Sequence, residues 1–323
     1  MGAVKRILIT GANGFVGRAA VREARAQGLD VIALYRRNPL PEWADDPAIF
    51  SQQADLSDLE SAYLLRDITQ DAQAVIHAAA HLGDDPARHA EDTLRATKTV
   101  LTTLNGTEAT LVLVSSIAVY DTMALQPGDQ VTETSPLENP DKARDAYAEA
   151  KLRQEELCTE SGHPLWIMRP GAVYGPSRSW HALLGFWASK FHVQINSEGQ
   201  LPLVHVDHLA KSLVAAALAE PPGILALNVV DDDLPTRARF LAAHRKLFGW
   251  PKLTVPIRFG LWLSLARLMS RWQDRLPGLL REPVLRARVM PLGYPNVALR
   301  SALGGADEAS FEVMLAKCKE GEA

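Results

Sequence analysis

The stretch VKRILITGANGFVG, residues 4–17, decides the fold. Its first part, Val4–Thr10, reads as a strand rather than as the apolar core of a signal peptide. Glycines follow at 11, 14 and 17, and Gly14 to Gln27 reads as a helix. A glycine triplet alone is a weak signal. Directly after a strand and at the opening of a helix, it marks a dinucleotide-binding turn. Gly11 permits the tight turn, Gly14 lets a pyrophosphate approach the backbone, and Gly17 lets the helix pack closely on the sheet. The helix N-terminus adds unsatisfied N–H groups and the positive end of a dipole. Asn13, Phe15 and Val16 complete this expected phosphate end.

Working outward, Asp30–Tyr35, Ala74–Ala78, Thr110–Ser115, Leu165–Arg169 and Leu225–Val230 are further runs of apolar, often β-branched residues. Strands buried on both faces read this way. Alternation of such runs with helical segments predicts an α/β fold: a Rossmann-type doubly wound parallel sheet. The expected division is a nucleotide-binding domain over 1–168, joined by a returning strand near 225–230, and a smaller C-terminal substrate lobe over 169–323. Six of the seven tryptophans lie beyond Leu165, which marks the shift to a less regular lobe. Phe259–Trp272 is amphipathic and is expected to pack its apolar face on that lobe; contact with a membrane surface or an apolar substrate is the other reading.

Composition excludes several classes. With 34 basic against 38 acidic residues the net charge is −4, the reverse of a nucleic-acid binder. Two cysteines, Cys158 and Cys318, can form neither a disulfide scaffold nor a cysteine zinc site, so no metal is expected. No uncharged apolar run reaches membrane-spanning length, and the expected location is the cytoplasm.

The second strand ends in Leu34-Tyr35-Arg36-Arg37. Where an NAD site usually places an acid for the ribose 2′-hydroxyl, this chain has Tyr35, with Arg36 and Arg37 behind it. A guanidinium suits a 2′-phosphate, so NADP is favoured over NAD. Asp55 and Leu56 stand where a third strand would end, and the carboxylate could meet the adenine amino group.

Tyr147-Ala-Glu-Ala-Lys151 lies in a stretch, Asp145 to Cys158, that reads as a helix and puts both residues on one face. A tyrosine serves as acid or base near neutrality when nearby positive charge stabilises its phenolate. Lys151, one turn on, can supply that charge. Ser115 and Ser116 end a strand at the carboxyl edge of the sheet, where ligands bind in open α/β folds.

These residues resemble the extended short-chain dehydrogenase/reductase family, the NAD(P)-dependent epimerase/dehydratase group. The likeness runs through TGANGFVG (10–17), HAAA (77–80), SSIAVY (115–120), YAEAK (147–151), RPGAVYGP (169–176) and VHVDHLA (204–210). It implies that Ser116 is the catalytic serine, with Ser115 its neighbour. It implies that Tyr147 exchanges a proton with the substrate oxygen, and that Lys151 holds the nicotinamide ribose and lowers the tyrosine pKa. It also implies that Ala78, Ala79 and Ala80 run beside the cofactor, and Pro170, Gly171, Ala172 and Val173 beside the nicotinamide carboxamide. His205 and Asp207 are expected to fix a turn between lobes. Related proteins often pair as dimers, so a homodimer is expected.

The chain departs from the sugar-nucleotide members of that group. Ala172 replaces an asparagine, Leu201 and Pro202 replace an Arg-Asp pair, and Thr93-Leu-Arg-Ala-Thr97 replaces N-V-x-G-T. Neither Ala172 nor Pro202 can donate to a diphosphate. The 30 residues between Ser116 and Tyr147 are expected to arch over the site. Met123, Tyr174, Trp180, Phe186 and Trp187 are candidate walls for an apolar substrate. The leading reading is an NADP-dependent carbonyl reductase or alcohol dehydrogenase acting on a small or moderately apolar molecule. The alternatives are a nucleotide-sugar epimerase or dehydratase and a non-catalytic NADP-binding sensor or assembly factor.

Overall fold

The computed structural model describes residues 5–276 and 278–320, so Val4 of the expected first strand lies outside the described residues. Seven strands form one sheet: β1 (Arg6–Thr10), β2 (Asp30–Tyr35), β3 (Ile49–Gln53), β4 (Ala74–His77), β5 (Thr110–Val114), β6 (Leu165–Pro170) and β7 (Ile224–Val229). Their spatial order is β7-β6-β5-β4-β1-β2-β3, and every neighbouring pair is parallel. This is the doubly wound sheet expected from the sequence. Several ends differ by a residue: β6 runs on to Pro170, and β7 starts at Ile224 and stops at Val229. The ladder stops at His77, because the Ala78 N–H turns to the Thr10 hydroxyl at 3.1 Å, and at Val114, just before the serine pair.

Alternation along the strands separates two cores. Ile7, Ile9 and Val31 face α1 (Phe15–Ala26). Leu8, Ile32 and Leu111 face the other way, toward α2 (Ser61–Thr69), α3 (Ala96–Leu104) and α4 (Ala146–Glu160). The chain order reverses between β1 and β4, so their carboxyl ends leave a crevice at the switch point.

More of the second half returns to the sheet than β7 alone. Helix α5 (Val206–Leu218) packs against α1 and places Leu209, Leu213 and Val214 in the core shared with Ile7 and Ile9, and Leu299 of the helix Val297–Leu303 joins them. The remaining segments build a separate core around Tyr174, Phe240, Leu285 and Phe311, to which Tyr120, Leu125 and Val131 of the 116–147 connection also belong. A three-stranded sheet (Phe186–Ala188, Phe191–Asn196, Thr254–Arg258) and the helices Arg237–Phe248, Phe259–Leu268, Glu282–Val289 and Phe311–Glu320 complete this lobe.

The 116–147 connection is pinned to the lobe rather than loose. The Gly128 N–H donates to the Pro291 carbonyl at 2.7 Å, and the Val131 N–H to that of Gly293 at 2.9 Å. The Arg286 guanidinium donates to the carbonyls of Thr122 and Leu125 at 3.4 and 3.1 Å. Among the described residues, no helix is long and apolar enough to cross a membrane.

Candidate active site

A cavity of about 830 Å³ opens at the carboxyl edge of β1, β4, β5 and β6. Its wall includes Gly11, Asn13, Gly14, Phe15, Val16 and Gly17, then Tyr35, Arg36, Asp55 and Leu56, then Ala78, Ala79 and Ala80. Ser115, Ser116, Tyr147, Lys151, Pro170, Gly171, Ala172 and Val173 follow along the same wall. Of the expected site residues, Arg37 alone stands outside it, exposed to solvent.

Backbone geometry shapes the glycine-loop end. Gly11 has φ +62°, the left-handed region that favours glycine. At Gly17 an added Cβ would come within 2.1 Å of the Gly11 carbonyl oxygen, so only glycine lets the helix start this close to the turn. Gly14 caps α1 with extended backbone and no side-chain bond, and no acid occupies the first turn. Its free N–H groups and dipole therefore face the cavity unopposed.

At the far side of this end, Arg36 lines the cavity but is also paired with Asp92 at 2.7 Å, a residue on the same wall. The Asp55 carboxylate accepts from the Ser57 N–H and hydroxyl at 3.0 and 2.8 Å. Partial burial pushes its pKa up, and these bonds with the nearby Arg36 and Arg37 charges outweigh that and hold it below the usual range.

Lys151 is buried, and its ammonium donates to the Val114 carbonyl at 2.8 Å and to Gln154 Oε1 at 2.9 Å. Burial lowers its pKa to about 8 against the opposing pull of Glu155. Behind it runs an internal chain of hydrogen bonds. Gln154 Nε2 donates to Thr97 Oγ1 at 2.9 Å, His77 Nε2 lies 3.0 Å from that same oxygen, and His77 Nδ1 lies 2.8 Å from Thr10 Oγ1. Thr10 Oγ1 already accepts from the N–H groups of Ala78 and Ala79, so its proton goes to His77 Nδ1 and the imidazole carries its hydrogen on Nε2. The histidine is neutral, with its pKa pushed down to about 3 by burial and by the Lys151 charge.

A second buried network lies under Ser115. Arg169 makes a two-pronged ion pair with Glu155, at 3.0 and 2.7 Å. Ser115 donates to Glu155 at 2.5 Å, and Arg169 also donates to the Tyr120 hydroxyl at 3.0 Å. Tyr120 in turn donates to Asn228 of β7 at 2.7 Å.

Tyr147 also feels the charge of Arg144. Burial pushes the Tyr147 phenol above its ordinary pKa. A hydrogen bond from Ser116 and the charge of Arg144 pull it down by less, and Asp145 adds to the rise. Lys151 itself is engaged by Val114 and Gln154. Ser116 is the one serine of the pair that reaches Tyr147, while Ser115 serves the network beneath.

The five aromatic and Met candidates for a substrate wall do not line this cavity. Tyr174 is fully buried and donates to Asp231 at 3.0 Å. Trp180 belongs to a ring cluster, 4.7 Å from Trp250 and 5.0 Å from His244, and Phe186 lies 5.5 Å from Trp262. Met123 and Trp187 are exposed. Instead Thr122, Val131, Leu183, Ala287, Arg288 and Tyr294 form the far wall, with Ala172 and Pro202 facing the same space. Nothing in their local sequence marks them, because each arrives by tertiary packing.

His205 and Asp207 stand outside the cavity. His205 Nδ1 accepts from the Asp207 N–H at 3.3 Å and caps α5, while the Asp207 carboxylate meets Arg22 of α1 at 3.2 Å.

A model of the NAD dependent epimerase/dehydratase family matches residues 7–227. A 3-diazoavenalumate denitrifying reductase of a Streptomyces species is 29% identical over 259 residues, covering 76% of this chain and 82% of its own. The ceramide reductase of Caulobacter vibrioides is 27% identical over 282 residues, covering 83% of this chain and 78% of its own. The structure of the UDP-Glc/GlcNAc 4-epimerase from Campylobacter jejuni superposes with a TM-score of 0.73 over 98% of both chains at 16% identity, a likeness of fold.

Proposed function

Because the chain belongs to the NAD dependent epimerase/dehydratase family, we propose that it is an NADP-dependent reductase of a small or moderately apolar carbonyl compound, with Tyr147 as the acid. One observation carries this reading. Ser116, Tyr147 and Lys151 share a single cavity with the glycine loop, and the wall beyond them has Ala172 and Pro202 where a nucleotide sugar would need donors.

The cavity fits a dinucleotide: a left-handed turn at Gly11, an α1 N-terminus free of acids, and a continuous wall from there to Lys151. The glycine loop would hold the pyrophosphate, Arg36 the 2′-phosphate, Asp55 the adenine, and Lys151 with Pro170 to Val173 the nicotinamide end. When bound, the nicotinamide supplies the hydride. Tyr147 gives its proton to the carbonyl oxygen, and Ser116 donates a hydrogen bond to that oxygen as charge develops on it. The phenol carries its proton at neutral pH, as the acid of a reduction must. Relatives named as reductases support the same direction.

The test is NADPH oxidation by the purified protein across a panel of apolar aldehydes and ketones. Turnover is expected, and Tyr147→Phe should lower it by about 10²–10⁴-fold with an unchanged melting temperature. Full turnover in Tyr147→Phe overturns the mechanism. A second reading, epimerisation or dehydration of a nucleotide sugar, rests on Arg178 and Arg288, two guanidinium groups on the wall. It predicts cofactor retained through gel filtration and a melting temperature raised by UDP- or dTDP-sugars.

A further inference from the structure

The helix Phe259–Leu268 buries only one narrow side. Phe259 and Ala266 are buried, Trp262 and Leu263 half-buried, and the Trp262 indole donates to the Leu279 carbonyl at 2.7 Å. The opposite side is apolar as well. Leu261, Leu265 and Leu268 recur at helical spacing with 69%, 40% and 76% of their surface exposed, and Trp272, one turn on, has 58% exposed. A helix at the surface of a water-soluble lobe ordinarily turns charge outward there. This stripe thus departs from the expectation that the segment's apolar face is used up in packing on the lobe.

Charge flanks the stripe in the sequence. Residues 251–282 carry six basic residues (Lys252, Arg258, Arg267, Arg271, Arg275 and Arg281) against the acids Asp274 and Glu282, in a chain whose net charge is −4, and Glu282 is taken up by Arg267 and Arg286. Lys252, Arg258 and Arg271 are exposed. An outward row of leucines and a tryptophan, edged by arginines, has the composition of a helix that lies in the plane of an anionic lipid interface. A second copy of the chain seated on this face by two-fold symmetry would bring like charges together.

We propose that Phe259–Trp272 is a docking surface for an anionic membrane. Leu261, Leu265, Leu268 and Trp272 enter the headgroup–acyl boundary, and Lys252, Arg258 and Arg271 meet lipid phosphates. This goes beyond the reductase reading and stands without it. The surface is nonetheless wired to the cavity. Arg267 pairs with Glu282 at 2.9 Å, Glu282 pairs with Arg286 at 2.9 Å, and Arg286 holds the carbonyls of Thr122 and Leu125. The helix Glu282–Val289, which packs on the docking helix, carries Ala287 and Arg288 of the cavity wall.

The experiment is flotation of the full chain with vesicles of phosphatidylglycerol and phosphatidylcholine, against pure phosphatidylcholine. Binding is expected on the anionic vesicles and should weaken as salt rises. Leu261→Ser with Leu265→Ser and Leu268→Ser should abolish it. Arg258→Gln with Arg271→Gln should weaken it by about fivefold for each charge removed. A thermal shift with NADPH equal to that of the parent shows that each variant is folded. Absence of binding to anionic vesicles at low salt overturns the proposal, as does binding that the triple leucine variant retains. A concentration-dependent dimer that this variant dissolves, without vesicle binding, also overturns it and assigns the stripe to a second copy.

Discussion

At the glycine-loop end of the cavity the wall is backbone, whereas at the far end it is side chains gathered from distant stretches. The first is settled within residues 10–17, where a left-handed Gly11 and an unsubstituted Gly17 leave the chain one path, and Thr10 ties that path to Ala78 and Ala79. The second depends on Thr122, Leu183, Ala287 and Tyr294, held together by bonds such as that from Arg286 to the Leu125 carbonyl. The lesson is a division of labour. Under the proposed reading, local geometry would carry the chemistry common to the fold and tertiary packing would carry substrate choice, so altering the far end should leave nucleotide binding in place.

The largest test of that division lies where the two ends meet. Arg169 ties Glu155 and Ser115 of the sheet side to Tyr120 of the far side. Arg169→Met leaves a buried carboxylate without its partner and should cost about 3–5 kcal/mol of stability, read by urea unfolding. A loss confined to substrate KM, with stability intact, would break the comparison.

The loop end is also expected to weaken in acid. Folding depresses the His77 pKa from 6.5 to about 3, so its contribution is complete above pH 6.5 and is lost as the pH falls toward 3. Between pH 6.5 and 4.5 the loss from this group is about 2 kcal/mol. Urea unfolding across that range should show a shallower slope for His77→Gln than for the parent, and parallel slopes would remove the buried neutral histidine from the account.

Cofactor discrimination comes next in size. Arg36→Ala with Arg37→Ala should weaken NADPH binding by about 10–100-fold in a fluorescence titration and leave NADH nearly unchanged. Equal loss for both sinks the 2′-phosphate argument. The smallest effect belongs to the far end. Leu183→Ala should shift KM between bulky and compact carbonyl substrates by about fivefold while NADPH affinity stays put.

The legibility of the two ends in the sequence follows from how each is built. Six of the seven strands, the glycine turn and the Tyr147/Lys151 spacing are patterns over a few residues, and the structure has the sheet in the expected parallel form, whereas β3 (IFSQQ) is half-exposed and has no apolar run to mark it. The salt link from Arg36 to Asp92 joins residues from separate elements, so a strand-end arginine pair reads as two equal cations when one is engaged on the wall and the other stands exposed outside it. The aromatic residues of the second half misled for a related reason. Periodicity marks Trp180 and Phe186 as apolar, yet it cannot distinguish a lobe's interior from a cavity's wall. Arg288 and Tyr294 had no signal, since only the fold of the last third carries them to the site.

The path of the second half has a consequence for how the molecule comes apart. After β6 the chain enters the lobe, returns through α5 and β7, leaves again, comes back with Leu299 and ends with Phe311 and Met314 in the lobe's core. Threaded in this way, it offers no place for a cut that spares either half. Nicking between the sheet and the lobe strips interior side chains from both, so neither half is expected to persist as a stable proteolytic fragment, and heating should melt the protein in one cooperative step.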